Sequence, residues 1–322
     1  MIIDIIGAGS LGLLYGSKLQ AAGHQVRYWS RTSDQASNMK KLGLQMIEPN
    51  EAEALTISGA DIQAHCIKEL AETWAHSPGS WLLLMVKQTA MDDIIHDIKS
   101  IGKEPLNIIC FQNGIGHVAK LQEVMRRATI YNAITTEGAK RVGTEVIRAG
   151  EGQTWIGQSE EASPRYVGQA GENGLISLVH TIQQAGFDCT VSNQIDKLIY
   201  RKLIINAVIN PLTAIWRISN GELLLNKERT TIMRQLYDEA ITVYRASGIT
   251  ADVDLWEQLL NVCQTTASNT SSMLADVLEG RRTEIDSING QVVHLAHQCG
   301  LTAPLHETLL HLIKGMHPEG VN

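Results

Sequence analysis

Short apolar runs of strand length recur through the first 193 residues, separated by glycine turns and helical segments. Such alternation is typical of an α/β fold with a parallel sheet. The pattern predicts strands at Ile2–Ile6, Gln25–Trp29, Trp81–Val86, Leu106–Phe111 and Phe187–Ser192. It further predicts helices at Leu13–Ala22 and Leu175–Ala185, a hairpin within Val142–Gly157 and an exposed loop at Gln158–Asn173.

Beyond Ser192–Gln194 the apolar positions follow a helical period throughout. The predicted helices are Ile195–Ile215, Lys227–Ser247, Leu255–Thr266, Met273–Glu279, Ile285–Cys299 and Pro304–Met316. We therefore predict two domains, an α/β domain over residues 1–193 and an all-helical domain over residues 194–322. A cleft between two such domains is a common place for a small-molecule site.

A glycine-rich turn, GAGSLG, joins the first strand to the first helix. Its residues are Gly7, Ala8, Gly9, Ser10, Leu11 and Gly12. Gly7 permits the tight turn, Gly9 lets a pyrophosphate approach the backbone, and Gly12 lets the helix pack closely on the strand. The phosphates would then meet the amide groups and dipole of a helix N-terminus. Within a strand–turn–helix–strand unit, this motif predicts a dinucleotide site.

The end of the second predicted strand indicates which dinucleotide is bound. NAD sites usually carry an acidic residue there for the ribose 2′-hydroxyl. Here the chain reads Trp29-Ser30-Arg31-Thr32, without an acid. Arg31 can bind a 2′-phosphate through charge-assisted hydrogen bonds, although a solvated arginine in a turn is the simpler alternative. The combination favours NADP.

Polar residues follow two further predicted strands. Lys87 comes directly after Trp81–Val86, and Asn113 follows Leu106–Phe111 within Gln112-Asn113-Gly114. Open α/β sheets bind ligands at the carboxyl ends of their strands. Asn-Gly is also a common turn pair. Position favours a cofactor or substrate role for both residues.

The most apolar stretch of the chain, Leu198–Trp216, carries one polar stripe. Lys202, Asn206 and Asn210 are spaced by four residues, so they share one helical face, and Asn210-Pro211 is expected to close the apolar segment. A buried polar group needs a partner or a ligand. The stripe is therefore either a structural network or the wall of a site. In the second case burial would lower the pKa of Lys202 toward the range of a general acid.

Two more polar groups have both a structural and a functional interpretation. Ser271 and Ser272 precede Met273, which suits a helix N-cap. Glu284 precedes an apolar helix, where an acid stabilises the N-terminus. Alternatively, Ser272 offers its hydroxyl to a substrate carboxylate and Glu284 faces Lys202.

Composition excludes several classes of function. The net charge of −7 argues against a nucleic-acid or anionic-membrane surface. No run of about 18 apolar residues predicts a membrane span, and no basic segment precedes the apolar N-terminus as in a signal peptide. The five cysteines and 11 histidines show no metal-ligand spacing, so we expect no metal and a cytoplasmic location with reduced thiols.

Six motifs resemble the ketopantoate reductase (2-dehydropantoate 2-reductase) family, in the family's order and over nearly the whole chain. They begin with GAGSLG at Gly7–Gly12 and QNG at Gln112–Gly114. The others are RKLIINAVINPLTAI at Arg201–Ile215, NGEL at Asn220–Leu223, NTSSML at Asn269–Leu274 and RRTEIDSINGQ at Arg281–Gln291. The resemblance implies a Rossmann-type domain followed by a helical domain like that of 6-phosphogluconate dehydrogenase. It also implies NADPH-dependent reduction of 2-dehydropantoate to (R)-pantoate, on the pathway to pantothenate and coenzyme A.

The resemblance also assigns roles by position. Lys202 matches the proton donor, and Glu284 matches a glutamate near cofactor and lysine. The positions matching substrate contacts are Asn113, Asn206, Asn210, Asn220 and Ser272; those matching cofactor contacts, besides the glycine turn, are Arg31, Lys87, Asn113, Ala139 and Glu284. One departure is Ala90, where family members often have a glutamine.

Two alternatives stay open. One is an NADP-dependent dehydrogenase of another 2-oxo acid or a 3-hydroxy acid on the same two-domain plan. The other is an NADP-binding regulator without catalysis, against which the presence of both Lys202 and Glu284 argues. The expected partner is a small 2-oxo acid, not a nucleic acid or a membrane. The oligomeric state is open, with a homodimer as one candidate.

Overall fold

The chain folds into two compact units. The computed structural model describes residues 1–49, 51, 53–103, 105–162 and 171–317. One unit comprises Met1–Gln112 and Gly116–Ile195, and the other comprises Asn113–Ile115 and the chain from Asp196 onward. The short excursion at Asn113–Ile115 is not predicted by the hydrophobic pattern.

An eight-stranded sheet forms the centre of the first unit. Its strands, in spatial order, are β12 (Asp188–Val191), β11 (Gln153–Gly157), β8 (Ala128–Thr135), β7 (Leu106–Cys110), β6 (Trp81–Leu84), β1 (Ile2–Ile6), β2 (Gln25–Ser30) and β5 (Gln63–Cys66). All neighbours are parallel except β8 and β11. From β5 to β8 the order is that of a Rossmann fold. The predicted α/β class is confirmed.

A second, four-stranded sheet was not predicted. Its order is β4 (Leu55–Ile57), β3 (Leu44–Ile47), β10 (Glu145–Gly150) and β9 (Gly138–Val142). The predicted hairpin within Val142–Gly157 is wrong in detail, because β9 pairs with β10 whereas β11 joins the large sheet. Alternation alone identifies strands but does not assign partners to them.

Helices cover both faces of the large sheet. They are α1 (Ser10–Ala21), α2 (Ser33–Leu42), α3 (Leu70–His76), α4 (Met91–Ile98), α5 (His117–Val124) and α6 (Gly171–Gln184). One apolar core contains Tyr15 of α1 and Leu178 of α6, and the other contains Leu121 of α5. Residues 163–170 of the predicted loop lie outside the described residues. Its last three residues belong instead to α6, where Gly171 begins the helix.

The single charge of β1 is neutralised inside the sheet. Asp4 is fully buried and accepts two hydrogen bonds from the Arg27 guanidinium, at 2.7 and 2.6 Å, and one from Trp29 Nε1 at 2.7 Å. A buried carboxylate is tolerated only when it is paired in this way. This arrangement fixes the register of β1 against β2, and with it the turn that follows β1.

The described part of the second unit contains six α-helices. They are α7 (Ile195–Trp216), α8 (Lys227–Ala246), α9 (Leu255–Thr265), α10 (Ser272–Leu278), α11 (Ile285–Gln298) and α12 (Pro304–Gly315). Their bounds match the sequence prediction to within one residue, because apolar periodicity and caps coincide. Ser271, for example, accepts a hydrogen bond from the Leu274 amide as the N-cap of α10.

The prediction that Asn210-Pro211 closes the apolar segment of α7 is wrong. Pro211 lies inside α7, which continues to Trp216, in agreement with the helix predicted over Ile195–Ile215. A proline at this point deprives the Ala207 carbonyl of its helical donor. The side chain of Asn289 supplies a replacement, with Nδ2 2.9 Å from the Ala207 oxygen. The tertiary contact therefore compensates for the proline.

Helix α7 is also the one element of the described residues that has the length and hydropathy of a membrane span. Its most apolar window has a mean hydropathy of 1.3. However, 61% of that window is buried inside the protein. A helix that is apolar on most sides and enclosed by other helices is typical of a protein core.

Candidate functional site

The glycine turn of the first unit has the shape that a dinucleotide requires. A side chain at Gly12 would lie 2.0 Å from the Gly7 oxygen, and one at Gly7, whose φ is +104°, would lie 2.9 Å from the Met85 backbone. At Gly9, in contrast, the space is open for 4 Å. Of the three glycines of the turn, Gly7 and Gly12 are therefore closely packed, and Gly9, at the N-terminus of α1, is open. No side chain caps that helix, and its first turn has no acid.

Arg31 is exposed in the loop after β2, and the backbone around it is held firmly. Ser30 Oγ donates to the Thr32 carbonyl at 2.7 Å, and Thr32 caps α2 by accepting a hydrogen bond from the Gln35 amide. The side chain of Arg31 thus projects from a fixed loop.

Two side chains that the sequence analysis missed converge on the glycine turn. Gln35 Nε2 and Arg141 Nη1 donate to the Ala8 carbonyl at 2.7 and 2.8 Å. Arg141 is an exposed residue of β9, 133 positions from Ala8 in the chain. Arg141 reaches the glycine turn because it lies in the small sheet, which was not predicted. The only indication in the sequence was that Arg141 lies two residues from Ala139, a predicted cofactor position.

The remaining cofactor-side positions lie at the surface of the first unit. Strand β6 ends at Leu84, two residues earlier than predicted, so Lys87 does not follow the strand directly but precedes a short 3₁₀ helix at Gln88–Ala90. Lys87 is exposed, and Ala90 is half-buried. Ala139 is half-buried in β9, opposite Arg148.

In the second unit the lysine of the polar stripe, Lys202, has a lowered pKa. Lys202 is half-buried in α7, where it is followed by the buried residues Leu203 and Ile204. Burial lowers the pKa of Lys202 to about 8, and the negative charge of Glu284 partly offsets this effect. An ammonium group with such a pKa is charged at neutral pH and gives up its proton readily, as a general acid requires.

Glu284 does not cap the helix that it precedes. Its carboxylate makes no capping hydrogen bond to α11, and Oε2 instead accepts a hydrogen bond from Asn113 Nδ2 at 3.1 Å. The close packing of the Asn113–Ile115 segment on α11 requires Gly114, because a side chain there would lie 2.1 Å from the Ser287 oxygen. Asn113, Glu284 and Lys202 thus belong to one electrostatic group.

The two amides of the stripe are not part of a hydrogen-bond network. Asn206 is half-buried and Asn210 is 6% exposed. Within the described part of the chain, neither side chain makes a hydrogen bond or ion pair. A structural role would have supplied partners for a buried amide. Both amides are therefore available to a ligand.

The side chains of Ser271, Ser272 and Asn220 differ in whether they make structural hydrogen bonds. Ser271 is the structural one, with Oγ 2.7 Å from Thr213 Oγ1. Ser272 is exposed at the first position of α10. Asn220 is committed through Nδ2 to Thr266 at 2.9 Å, whereas its buried Oδ1 has no hydrogen-bond partner. Among the described residues, Asn220 therefore makes no side-chain hydrogen bond to the stripe.

The sequences of both units match models of one protein family. The family model described as ketopantoate reductase PanE/ApbA matches residues 3–161, and its C-terminal counterpart matches residues 194–317. Curated relatives named 2-dehydropantoate 2-reductase include those of Bacillus subtilis, 31% identical over 98% of this chain and 97% of the relative, and Archaeoglobus fulgidus, 30% identical with the same coverage.

Solved structures show the same fold. A probable 2-dehydropantoate 2-reductase of Bacillus subtilis has a TM-score of 0.79 and 30% identity, over 98% of this chain and all of that one. The ternary structure of D-mandelate dehydrogenase with NADH and anilino(oxo)acetate has a TM-score of 0.84 at 22% identity, over 98% of both chains. The fold, the sequence relatives and the two family models agree, and the chain belongs to the ketopantoate reductase PanE/ApbA family of oxidoreductases.

Proposed function

We propose that this protein catalyses NADPH-dependent reduction of 2-dehydropantoate to (R)-pantoate. The observation that carries the proposal is the group formed by Lys202, Glu284 and Asn113, in which burial lowers the pKa of the lysine to about 8. Relatives named 2-dehydropantoate 2-reductase support the substrate. The direct test is NADPH oxidation with purified protein and 2-dehydropantoate. No turnover of any 2-oxo acid would contradict the proposal.

The chain's own groups perform the acid–base part of this reaction. When bound, NADPH supplies the hydride for the ketone carbon. Negative charge then develops on the carbonyl oxygen, and the Lys202 ammonium donates its proton there. The negative charge of Glu284 raises the pKa of Lys202 and so favours its charged form, and Asn113 donates a hydrogen bond to Glu284. Asn206, Asn210 and Ser272 orient the substrate by hydrogen bonds to its carboxylate and hydroxyl.

The residues of the first unit fit a dinucleotide. The open space above Gly9 and the uncapped N-terminus of α1 suit a pyrophosphate. Arg31 would bind the 2′-phosphate, with Lys87 and Ala139 as further cofactor-side positions. Asn113 and Glu284 are proposed as further cofactor contacts from their positions in the family's motifs. Arg141 and Gln35 support the turn through the Ala8 carbonyl.

Replacing Arg31 by alanine is expected to weaken NADPH binding and to leave NADH binding almost unchanged. Loss of a charge-assisted hydrogen bond costs about 1.5–3 kcal/mol, which is about 10- to 150-fold in the dissociation constant. Isothermal titration calorimetry with both cofactors measures the difference. Arg126→Ala, which removes an exposed arginine in the turn before β8, is the control and should change neither constant. Equal losses for NADPH and NADH would remove Arg31 from 2′-phosphate recognition.

Another 2-oxo acid is the alternative substrate. The similarity in fold to D-mandelate dehydrogenase, whose structure contains NADH and anilino(oxo)acetate, is the observation that favours it. A panel of 2-oxo acids with aliphatic and aromatic side chains distinguishes the two. Preference for 2-dehydropantoate in kcat/KM supports the first proposal, and preference for an aromatic acid supports the second. Binding of NADPH without turnover of any acid would indicate a regulator.

Asn210→Ala is expected to raise the Michaelis constant for the 2-oxo acid by about tenfold, since a hydrogen bond to a charged group is lost. Stability should change little, because the Asn210 side chain has no partner among the described residues that truncation could leave unsatisfied. Substrate kinetics and thermal melts measure the two effects separately. Asn261→Ala, at an exposed position of α9, is the matched control. A large fall in melting temperature with an unchanged Michaelis constant would show that Asn210 is structural.

The cellular setting follows from the same proposal. A reductase that makes (R)-pantoate would act in the cytoplasm on the route to pantothenate and coenzyme A. A structural neighbour described as a dimeric ketopantoate reductase from Staphylococcus aureus, 18% identical, makes a homodimer the first oligomeric state to test. Analytical ultracentrifugation of the purified protein measures that state.

A further inference from the structure

The proline in α7 creates a gap in the helix within the proposed site. Pro211 has no amide hydrogen, so the carbonyl of Ala207, four residues earlier, receives no helical hydrogen bond. Asn206 and Asn210 of the polar stripe flank this turn. The side chain of Asn289 in α11 fills the gap, because Nδ2 donates to the Ala207 oxygen at 2.9 Å. Asn289, which is not part of the stripe, therefore supplies the hydrogen bond that is missing from this turn of α7.

A buried histidine orients Asn289. Asn289 Nδ2 also lies 3.0 Å from His306 Nδ1, and His306 Nε2 lies 3.1 Å from the Leu236 carbonyl. A carbonyl only accepts, so Nε2 carries the histidine proton and Nδ1 accepts from Asn289. The amide cannot be reversed, because its oxygen would then face the Ala207 oxygen. Asn289 and His306 are both fully buried.

The histidine is in turn held by the backbone of α12. Glu239 of α8 accepts hydrogen bonds from the amides of Leu305 and His306, at 3.2 and 2.9 Å. Burial lowers the pKa of His306 to about 4, so the ring stays neutral and Nδ1 remains an acceptor at neutral pH. The relay from Leu236 through His306 and Asn289 to Ala207 is therefore permanent under working conditions.

We propose that Asn289, oriented by His306, is a positioning residue for the reaction. By closing the turn from Ala207 to Pro211 it fixes the half of α7 that carries Lys202 and Asn206 relative to the half that carries Asn210. This inference rests on the proposed function. A shift of an ångström in a catalytic group is enough to cost about 10²-fold in rate. The relay thus contributes to turnover without touching the substrate.

A double-mutant cycle with Pro211 tests the proposal. Asn289→Ala should lower kcat/KM for the 2-oxo acid about 10- to 100-fold when residue 211 is proline. In a Pro211→Ala background, the new amide at position 211 donates to the Ala207 carbonyl, and Asn289→Ala should then change kcat/KM less than about threefold. Each comparison is made within one background, so any effect of the proline itself cancels.

Two further measurements separate positioning from stability. Kinetics are recorded well below the melting temperature of each variant, and NADPH dissociation constants from calorimetry should equal that of the wild type. Tyr244→Phe is the matched control, because Tyr244 also donates to a carbonyl of α7, that of Tyr200, at 3.0 Å. No proline removes the helical donor of Tyr200, so this variant should keep wild-type kinetics.

Two variants keep the test open if Asn289→Ala does not fold. Asn289→Leu preserves the volume of the side chain, and His306→Ala leaves Asn289 in place but removes the acceptor that orients it. An equal fall in kcat/KM in both backgrounds would overturn the proposal, as would lower melting temperatures with unchanged kinetics in all three variants. Absence of any 2-oxo acid reductase activity in the wild type would instead contradict the proposed function.

Discussion

Replacing Lys202 by alanine is expected to lower kcat for the 2-oxo acid by about 10²- to 10⁴-fold, the usual contribution of a positioned general acid. The reason is that the developing oxyanion loses its proton donor. NADPH affinity should not change, because the cofactor contacts of the first unit are intact. Steady-state kinetics and calorimetry on the same preparation measure the two quantities. Turnover within a few-fold of the wild type would show that Lys202 is not the donor.

Lys197→Ala provides the matched control for this prediction. Lys197 lies on the same helix, but it is largely exposed and forms an ion pair with Asp252. Removing it changes the net charge by the same amount without touching the polar stripe. Its kcat should stay near that of the wild type. A similar loss in both variants would indicate that the helix responds to charge in general.

The fold was predictable where local patterns and packing agree. The helices of the second unit were predicted to within one residue because apolar periodicity, caps and turn residues coincide there. Strands β6 and β7 were predicted from continuous apolar runs, which buried parallel strands require. The small sheet was missed because β3 and β4 are three or four residues long and half-exposed, so they have little hydrophobic signal.

The candidate site was predictable where it follows helical spacing. Lys202, Asn206 and Asn210 share a face because four residues make about one turn of helix. The position of Glu284 before an apolar helix suited either a capping acid or a partner of Lys202. In the structure its side chain accepts a hydrogen bond from Asn113 and makes none to the end of the helix. That contact depends on the packing of Gly114 against α11. Neither sequence motif indicates this packing.

Residues that act through backbone groups were not predictable. Asn289 was part of a recognised motif, but its partner is the carbonyl of Ala207, which lacks a donor only because Pro211 lies inside a continuous helix. The helical pattern over Ile195–Ile215 predicts the helix, but it does not predict which side chain replaces the helical donor that Pro211 lacks. Arg141 was missed for a similar reason, since its partner is the Ala8 carbonyl.

The pH dependence of turnover also tests the role of Lys202. Lys202 must be protonated to reduce the ketone, and burial lowers its pKa to about 8. The rate of reduction should therefore be constant below that pH and fall about tenfold per pH unit above it. Oxidation of the hydroxy acid requires the neutral amine, so its rate should rise with pH through the same range. A flat profile up to pH 10 would contradict an acidic role for this lysine.

Glu284→Gln should move this profile in a direction that electrostatics determines. The negative charge of Glu284 raises the pKa of Lys202, so its removal lowers that pKa, and the alkaline fall in reduction begins at a lower pH than in the wild type. Glutamine retains an oxygen for Asn113 Nδ2, which separates charge from hydrogen bonding. Asp286→Asn is the matched control, because Asp286 lies in the first turn of the same helix, exposed and paired with Lys314. An unmoved profile in Glu284→Gln, or an equal shift in both variants, would mean that Glu284 does not set the acidity of Lys202.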